Sequence, residues 1–170
     1  MHRAQVNGVS LYYRLDGPTD GVPIMLSNSL FSRLEMWEAQ IAALTGAGYR
    51  VLRYDSRGHG RSDAPEGPYS IEMLADDLAG LMDVVSWEKA HFCGLSKGGM
   101  VGQVMGTRHP ERVISLTLCD TSAYMGAEEV WEPRVQTGLK VGVAGLVESS
   151  VERWFTTESF TRIPVEVEKV

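Results

Sequence analysis

Ala90-His91-Phe92-Cys93-Gly94-Leu95-Ser96-Lys97-Gly98-Gly99-Met100-Val101-Gly102-Gln103 is the stretch on which the fold turns. Its apolar start predicts a strand over Ala90 to Cys93, and the residues from Lys97 to Arg108 predict a helix. Between them lies Gly94-Leu95-Ser96-Lys97-Gly98, a G-x-S-x-G pattern in a strand-turn-helix setting. Such a turn presents its central serine above the edge of a sheet, and the flanking glycines let two backbones approach closely. The helix behind the serine adds partial positive charge where an oxyanion would form. A turn this sharp should hold Ser96 at positive φ. The competing reading, a Gly/Ser-rich turn without chemistry, leaves the strand before it and the helix after it as coincidence.

Outward from this centre, strands and helices alternate. Asn7-Gly8 is a hairpin-turn signal joining a short strand near Ala4 to Val6 with a strand over Val9 to Leu15. Ile24 to Leu26 and Tyr49 to Tyr54 read as short buried strands. Between them Ser32-Arg33-Leu34-Glu35 has capping-box spacing, with Leu34, Trp37, Ile41 and Leu44 following at helical intervals before Gly46 and Gly48. Asp55 to Pro68 is a loop. Ser70 is expected to cap a helix carrying Ile71, Leu74, Leu78, Leu81 and Val85 on one face. Val113 to Cys119 is a sixth strand. This alternation indicates an α/β fold with a mostly parallel sheet covered on both faces. Residues 1–125 form the core in this reading. Residues 126–170 are less regularly helical, with Pro133, Gly138, Gly142 and Gly145 expected to interrupt them.

The chain has 170 residues, enough to bury roughly two thirds of its unfolded surface in one domain. Sixteen basic against twenty-two acidic side chains give a net charge of −6, which repels nucleic-acid phosphates and anionic lipid. The two cysteines, Cys93 and Cys119, are too few for a disulfide framework and fit a reducing compartment. No apolar run approaches the ~18 residues of a membrane span, and the first residues carry no signal-peptide core. A cytoplasmic protein is expected, with a small-molecule substrate, no nucleic-acid or membrane partner, and neither metal nor cofactor.

Four segments carry a resemblance: Leu26-Ser27-Asn28-Ser29-Leu30, Tyr54-Asp55-Ser56-Arg57-Gly58-His59-Gly60-Arg61-Ser62, His91 to Ser96, and Gly98 to Gln103. Together they resemble the α/β-hydrolase family and, within it, the 3-oxoadipate enol-lactonases. Glu129-Val130-Trp131 and Glu152-Arg153-Trp154-Phe155-Thr156 are similar to the helical cap of that group. The resemblance implies a serine hydrolase that opens a lactone or ester, 3-oxoadipate enol-lactone first among them. It implies that Ser96 is the nucleophile and that the backbone N–H groups of Leu30 and Lys97 form the oxyanion hole. Arg134 and Trp131, on the first cap helix, are the candidates for binding the substrate's remote carboxylate, with a solvated surface arginine the competing reading of Arg134. Relatives that cleave carbon–halogen bonds or epoxides carry an aspartate where this chain has Ser96. A general carboxylesterase or a cofactor-free perhydrolase remains an alternative on the same machinery.

Two positions depart from the family pattern. Phe31 follows Leu30 where a glycine is expected, which should narrow the oxyanion loop. Lys97 stands where an uncharged residue is usual. Its side chain is expected to be a solvated ammonium with only its backbone in use; a serine–lysine dyad is the sharper alternative.

The acid and base are the weak point. Family order places them after the serine, where the only histidine is His109. That residue ends the helix Ser96 begins, about 20 Å away at ~1.5 Å per residue. His91 lies ~17 Å from Ser96 along its strand, and His2 is terminal. His59 alone is on a loop at the right edge, as a base or as a histidine satisfying backbone groups. Asp120, at the end of the sixth strand, is the candidate acid or else caps the next turn. The expectation is a chain lacking the family's last third, including two strands. Its exposed sheet edge would then template self-association. A catalytically silent relative acting as a binding module is the alternative from another class.

Overall fold

The computed structural model describes residues 2–168, the side chain of Glu166 excepted. Six strands form one sheet: β1 (His2–Val6), β2 (Val9–Asp16), β3 (Val22–Ser27), β4 (Tyr49–Tyr54), β5 (Ala90–Leu95) and β6 (Val113–Cys119). Their order across the sheet is β1-β2-β4-β3-β5-β6. The β1–β2 and β2–β4 pairs are antiparallel, and β4–β3, β3–β5 and β5–β6 are parallel. Asn7 (φ 45°) and Gly8 (φ 79°) make the two-residue hairpin turn that their pairing signals. β5 runs two residues further than its apolar stretch predicts, because Gly94 and Leu95 still pair with Leu118 and Cys119.

Helices cover both faces, as short parallel strands require. On one side α1 (Glu38–Gly46) packs on a cluster of Leu26, Trp37 and Val51. On the other, α2 (Ile71–Val84) and α3 (Lys97–Arg108) cover Met25, Leu52, Tyr54 and Phe92 with Leu74, Leu78, Leu81, Met82, Val101 and Met105. Met25 and Leu52 face one cluster and their neighbours Leu26 and Val51 the other, the period-two alternation of a strand buried on both sides. Ser70 caps α2 by accepting the Met73 N–H at 3.1 Å.

The capping box at Ser32 does not form. Residues Leu34–Trp37 make a 3-10 turn before α1, and Ser32 Oγ donates back to the Ser29 carbonyl. The Leu34 N–H is accepted instead by Asp55 Oδ1, at 2.8 Å, from the end of β4. A local pattern thus yields to a carboxylate delivered by tertiary structure.

At the other edge, β6 pairs only with β5 among the described residues, and Ile114, Leu116 and Leu118 along it are exposed.

The chain divides into two compact units, Met1–Ala123 and Tyr124–Val170. The second holds α4 (Glu128–Val141), a 3-10 turn at Val143–Leu146, α5 (Val147–Trp154), α6 (Ser159–Arg162) and α7 (Pro164–Glu168). Pro133 and Gly138 do not interrupt it, since α4 runs through both; Gly142, at φ 79°, ends the helix. Pro133 is the sixth residue of α4, where a proline forfeits an intrahelical bond without stopping the helix. None of the described helices is long and apolar enough to cross a membrane.

Candidate active site

The C-terminal ends of β3, β4, β5 and β6 lie side by side, which is where open parallel sheets place their sites. Ser96 follows β5 directly, at φ 53° and ψ −115°. This is the positive-φ conformation expected of the turn, and for a serine it carries strain that the surroundings must hold. Ser96 N–H donates to the Cys119 carbonyl at 2.9 Å, and the Ser96 carbonyl accepts from Met100 N–H and from Thr121 Oγ at 2.8 Å.

The glycines of the turn have steric causes. A Cβ on Gly94 would lie 2.3 Å from the Gly98 carbonyl oxygen, and one on Gly98 would lie 2.1 Å from that of Ser27. The start of α3 is therefore pressed against the exit of β3, which brings Lys97 beside the loop carrying Leu30.

That loop is anchored by groups the sequence reading passed over. Asn28 is buried; its Nδ2 donates to the Tyr54 carbonyl at 2.8 Å and its Oδ1 accepts from Trp37 Nε1 at 3.0 Å. Ser27 Oγ and Tyr54 Oη are 3.0 Å apart. Burial pushes the Tyr54 phenol above the usual tyrosine range, which keeps it protonated. Phe31 sits at φ 66°, so the backbone makes the left-handed bend for which a glycine was expected. The signal for Asn28 was a polar Ser-Asn-Ser run directly after an apolar strand, where a buried amide must find partners.

Behind the loop, Asp55 is fully buried and accepts the N–H groups of Leu34 (2.8 Å) and Arg61 (2.9 Å). Gly60 passes so close that a Cβ there would strike this carboxylate at 2.2 Å. Arg57 forms a two-pronged pair with Asp77 of α2, both bonds 2.8 Å.

Lys97 contradicts its expectation. Its side chain is not a solvated ammonium: the residue is 8% exposed. Nζ donates to Ser56 Oγ at 2.5 Å and lies 3.4 Å from His59 Nε2. No carboxylate pairs with it among the described residues. Burial therefore lowers its pKa to about 7, against the smaller opposing effect of the Asp55 charge. The Ser56 partnership also leaves the serine–lysine dyad without support, since Nζ is committed away from Ser96.

The remaining histidines are engaged elsewhere. His59 Nδ1 lies 3.0 Å from the Arg57 carbonyl, and its Nε2 accepts the Phe31 N–H at 3.2 Å. Burial and the Lys97 charge hold its pKa down at about 4. His91 Nδ1 meets Ser115 Oγ at 2.8 Å, His109 Nε2 meets Asp76 at 2.9 Å, and the His2 ring lies against Tyr13. Asp120 follows β6 at φ 42°, one residue beyond the Leu95–Cys119 register pair, so its backbone neighbours that of Ser96. In the second unit the Arg134 guanidinium stacks on the Trp131 ring at 4.9 Å. The Trp131 indole N–H donates to the Met125 carbonyl at 2.7 Å. Among the described residues, no three His, Cys, Asp or Glu side chains are grouped so as to hold a metal ion.

Known proteins resemble this chain in sequence and in fold. Two curated proteins of Acinetobacter baylyi match: 3-oxoadipate enol-lactonase 2, 37% identical over 95% of this chain, and 3-oxoadipate enol-lactonase 1, 38% identical over 88%. This chain spans 60% and 55% of their respective lengths. The crystal structure of an enol-lactonase from Burkholderia xenovorans LB400 superposes with a TM-score of 0.93 at 47% identity, covering 98% of this chain and 65% of that one. The family model for the alpha/beta hydrolase fold matches residues 22–141. The chain belongs to the α/β hydrolase fold family.

Proposed function

We propose that this chain carries the nucleophile and oxyanion hole of a serine ester or lactone hydrolase whose substrate is 3-oxoadipate enol-lactone. One observation carries the reading: Ser96 is held in a strained left-handed turn at the head of α3, packed against the β3 exit that leads to Leu30. In the proposed reaction Ser96 Oγ attacks the lactone carbonyl and gives up its proton to a base. The N–H groups of Leu30 and Lys97 hold the oxyanion. Collapse of the tetrahedral intermediate breaks the ring C–O bond, and the ring oxygen leaves as an enol that takes a proton. Water then adds to the acyl-serine and releases the second carboxylate while Ser96 regains its proton.

Each described histidine has another partner, and the chain spans 55–60% of the length of its curated relatives. The base is accordingly proposed to come from outside these 170 residues, and Asp120 is the acid candidate within them. Without a base the serine stays a protonated alcohol, and the loss of triad members typically costs several orders of magnitude in rate. The expected result with p-nitrophenyl acetate is turnover barely above buffer, with slow, stoichiometric acetylation of the Ser96 peptide by mass spectrometry. Ser96→Ala should remove that adduct. An adduct that survives Ser96→Ala, or no adduct on Ser96 at all, sinks the proposal; the second outcome would favour a silent binding module.

The carboxylate-binding role proposed for Arg134 has its own test. The Trp131 stack fixes the guanidinium plane, which suits it to a planar carboxylate. Arg134→Ala should weaken calorimetric binding of the lactone acid roughly tenfold, as loss of a charge-assisted contact does. Binding of the lactone's methyl ester should be unaffected, and equal losses for the two would exclude the role.

A further inference from the structure

We infer that the Lys97 side chain, acting through His59, positions the loop that supplies the second oxyanion donor. Lys97 then serves the site twice, with its backbone N–H as one donor and with its side chain as the support of the other. The inference rests on the oxyanion assignment above for its catalytic meaning, but its geometry is independent of it.

The chain of contacts is continuous. From the first residue of α3, Lys97 Nζ reaches across to Ser56 Oγ at 2.5 Å and approaches His59 Nε2 at 3.4 Å. The same Nε2 accepts the Phe31 N–H at 3.2 Å. The Arg57 carbonyl, which can only accept, faces Nδ1 at 3.0 Å, so Nδ1 carries the proton and Nε2 offers the lone pair. Phe31 is the residue at positive φ directly after Leu30. Holding its N–H therefore fixes the peptide plane next to the Leu30 amide, against a backbone conformation that a phenylalanine does not favour. His59 must remain neutral to do this, and a cation beside it opposes its protonation. In the acid range Lys97 thus keeps Nε2 available as an acceptor that burial alone would yield to a proton at a higher pH.

The groups facing this pair are few. Asp55 approaches from the end of β4, with its oxygens occupied by the Leu34 and Arg61 amides. On the loop of His59, Arg57 is paired to Asp77 and Arg61 to Glu35. α3 contributes Lys97 alone, and residues 27 to 32 contribute no titratable side chain.

The test is nuclear magnetic resonance on the full 170-residue chain. The Phe31 amide shift should titrate with His59, with a midpoint near the pKa of about 4. In Lys97→Met the midpoint should move upward yet stay below 6.5, because burial remains when the charge is gone. A Lys97 that merely fills space would leave the midpoint unmoved. At pH 7.5, His59→Leu should accelerate exchange of the Phe31 amide about tenfold, the loss of one hydrogen bond. His59→Gln, whose carbonyl can stand in for Nε2, should restore protection. The Gly94 and Met100 amides report that the fold is intact. The inference fails if the Phe31 shift ignores His59 protonation, if the midpoint is the same in Lys97→Met, or if His59→Leu leaves exchange unchanged. None of these outcomes depends on Ser96 acylation, so failure there and failure here are told apart.

Discussion

Lys97→Met should make the protein more stable at neutral and acid pH, by a few kcal/mol, and the gain should fade in alkali. The sign follows from the two protonation states. Unfolded, the lysine titrates near its ordinary 10.5; folded, near about 7. Below pH 7 both states carry the proton, and the folded state bears the cost of a buried ammonium with no carboxylate paired to it among the described residues. Between 7 and 10.5 the unfolded chain binds a proton that the folded chain does not, so the stability of the native protein rises with pH. At ~1.4 kcal/mol per pKa unit the penalty below pH 7 is on the order of 4–5 kcal/mol, less whatever the variant loses with the Ser56 contact. Urea unfolding at pH 6, 8 and 10 measures it. Equal differences between native chain and variant at all three pH values would show that Lys97 does not lose its charge on folding. A residue so costly to folding, in the turn that holds Ser96, fits a structure that gives up stability where it positions its site.

How much of this was legible in the sequence depends on the range of the interaction. The turn at Ser96 was readable because its requirements are local: a strand, two glycines beside a serine, a helix. The hairpin at Asn7-Gly8 and the Ser70 cap were readable for the same reason. The Ser32 capping box does not form because Ser32 Oγ turns back to the Ser29 carbonyl, while Asp55, twenty-one positions beyond Leu34, accepts the Leu34 N–H. Pro133 and Gly138 were read as breaks because propensity counts each residue alone, whereas a fourteen-residue helix tolerates both. Lys97 is the least legible residue of the site. Nothing in its neighbours announces that the loop after β4 folds over it, and a lone lysine is by default solvated. Phe31 stands where a glycine is expected. The backbone there does adopt a conformation suited to glycine, and the His59 contact is among what holds it.

Asp77→Ala should cost the protein about 3–5 kcal/mol, the usual consequence of stranding one member of a buried ion pair. Asp77 is 1% exposed and Arg57 8%. The carboxylate takes two hydrogen bonds from the guanidinium and a third, at 3.2 Å, from Asn7 Nδ2 in the hairpin turn. The Asp77 charge also supports the raised pKa of Arg57, whose first cause is this hydrogen-bonded pair. Removing it leaves a buried cation with the Asn7 carbonyl and the Tyr69 ring to face but no countercharge, and unties α2 from both the hairpin and the loop that carries His59. Against a total stability of about 5–15 kcal/mol this is enough to leave the chain marginal at 37 °C. The double variant Arg57→Met/Asp77→Leu separates the two causes that would give the same loss. If the cost is the stranded charge, replacing both partners by apolar residues should recover most of it, since buried pairs and hydrophobic replacements of similar volume are often near parity. If the double variant is as unstable as Asp77→Ala, the stranded charge is not the cause. The loss would then come from the geometry that Arg57 and Asp77 impose on the hairpin and the loop. Urea unfolding followed by tryptophan fluorescence, to which Trp37 and Trp87 of the first unit contribute, reads both variants against the native chain.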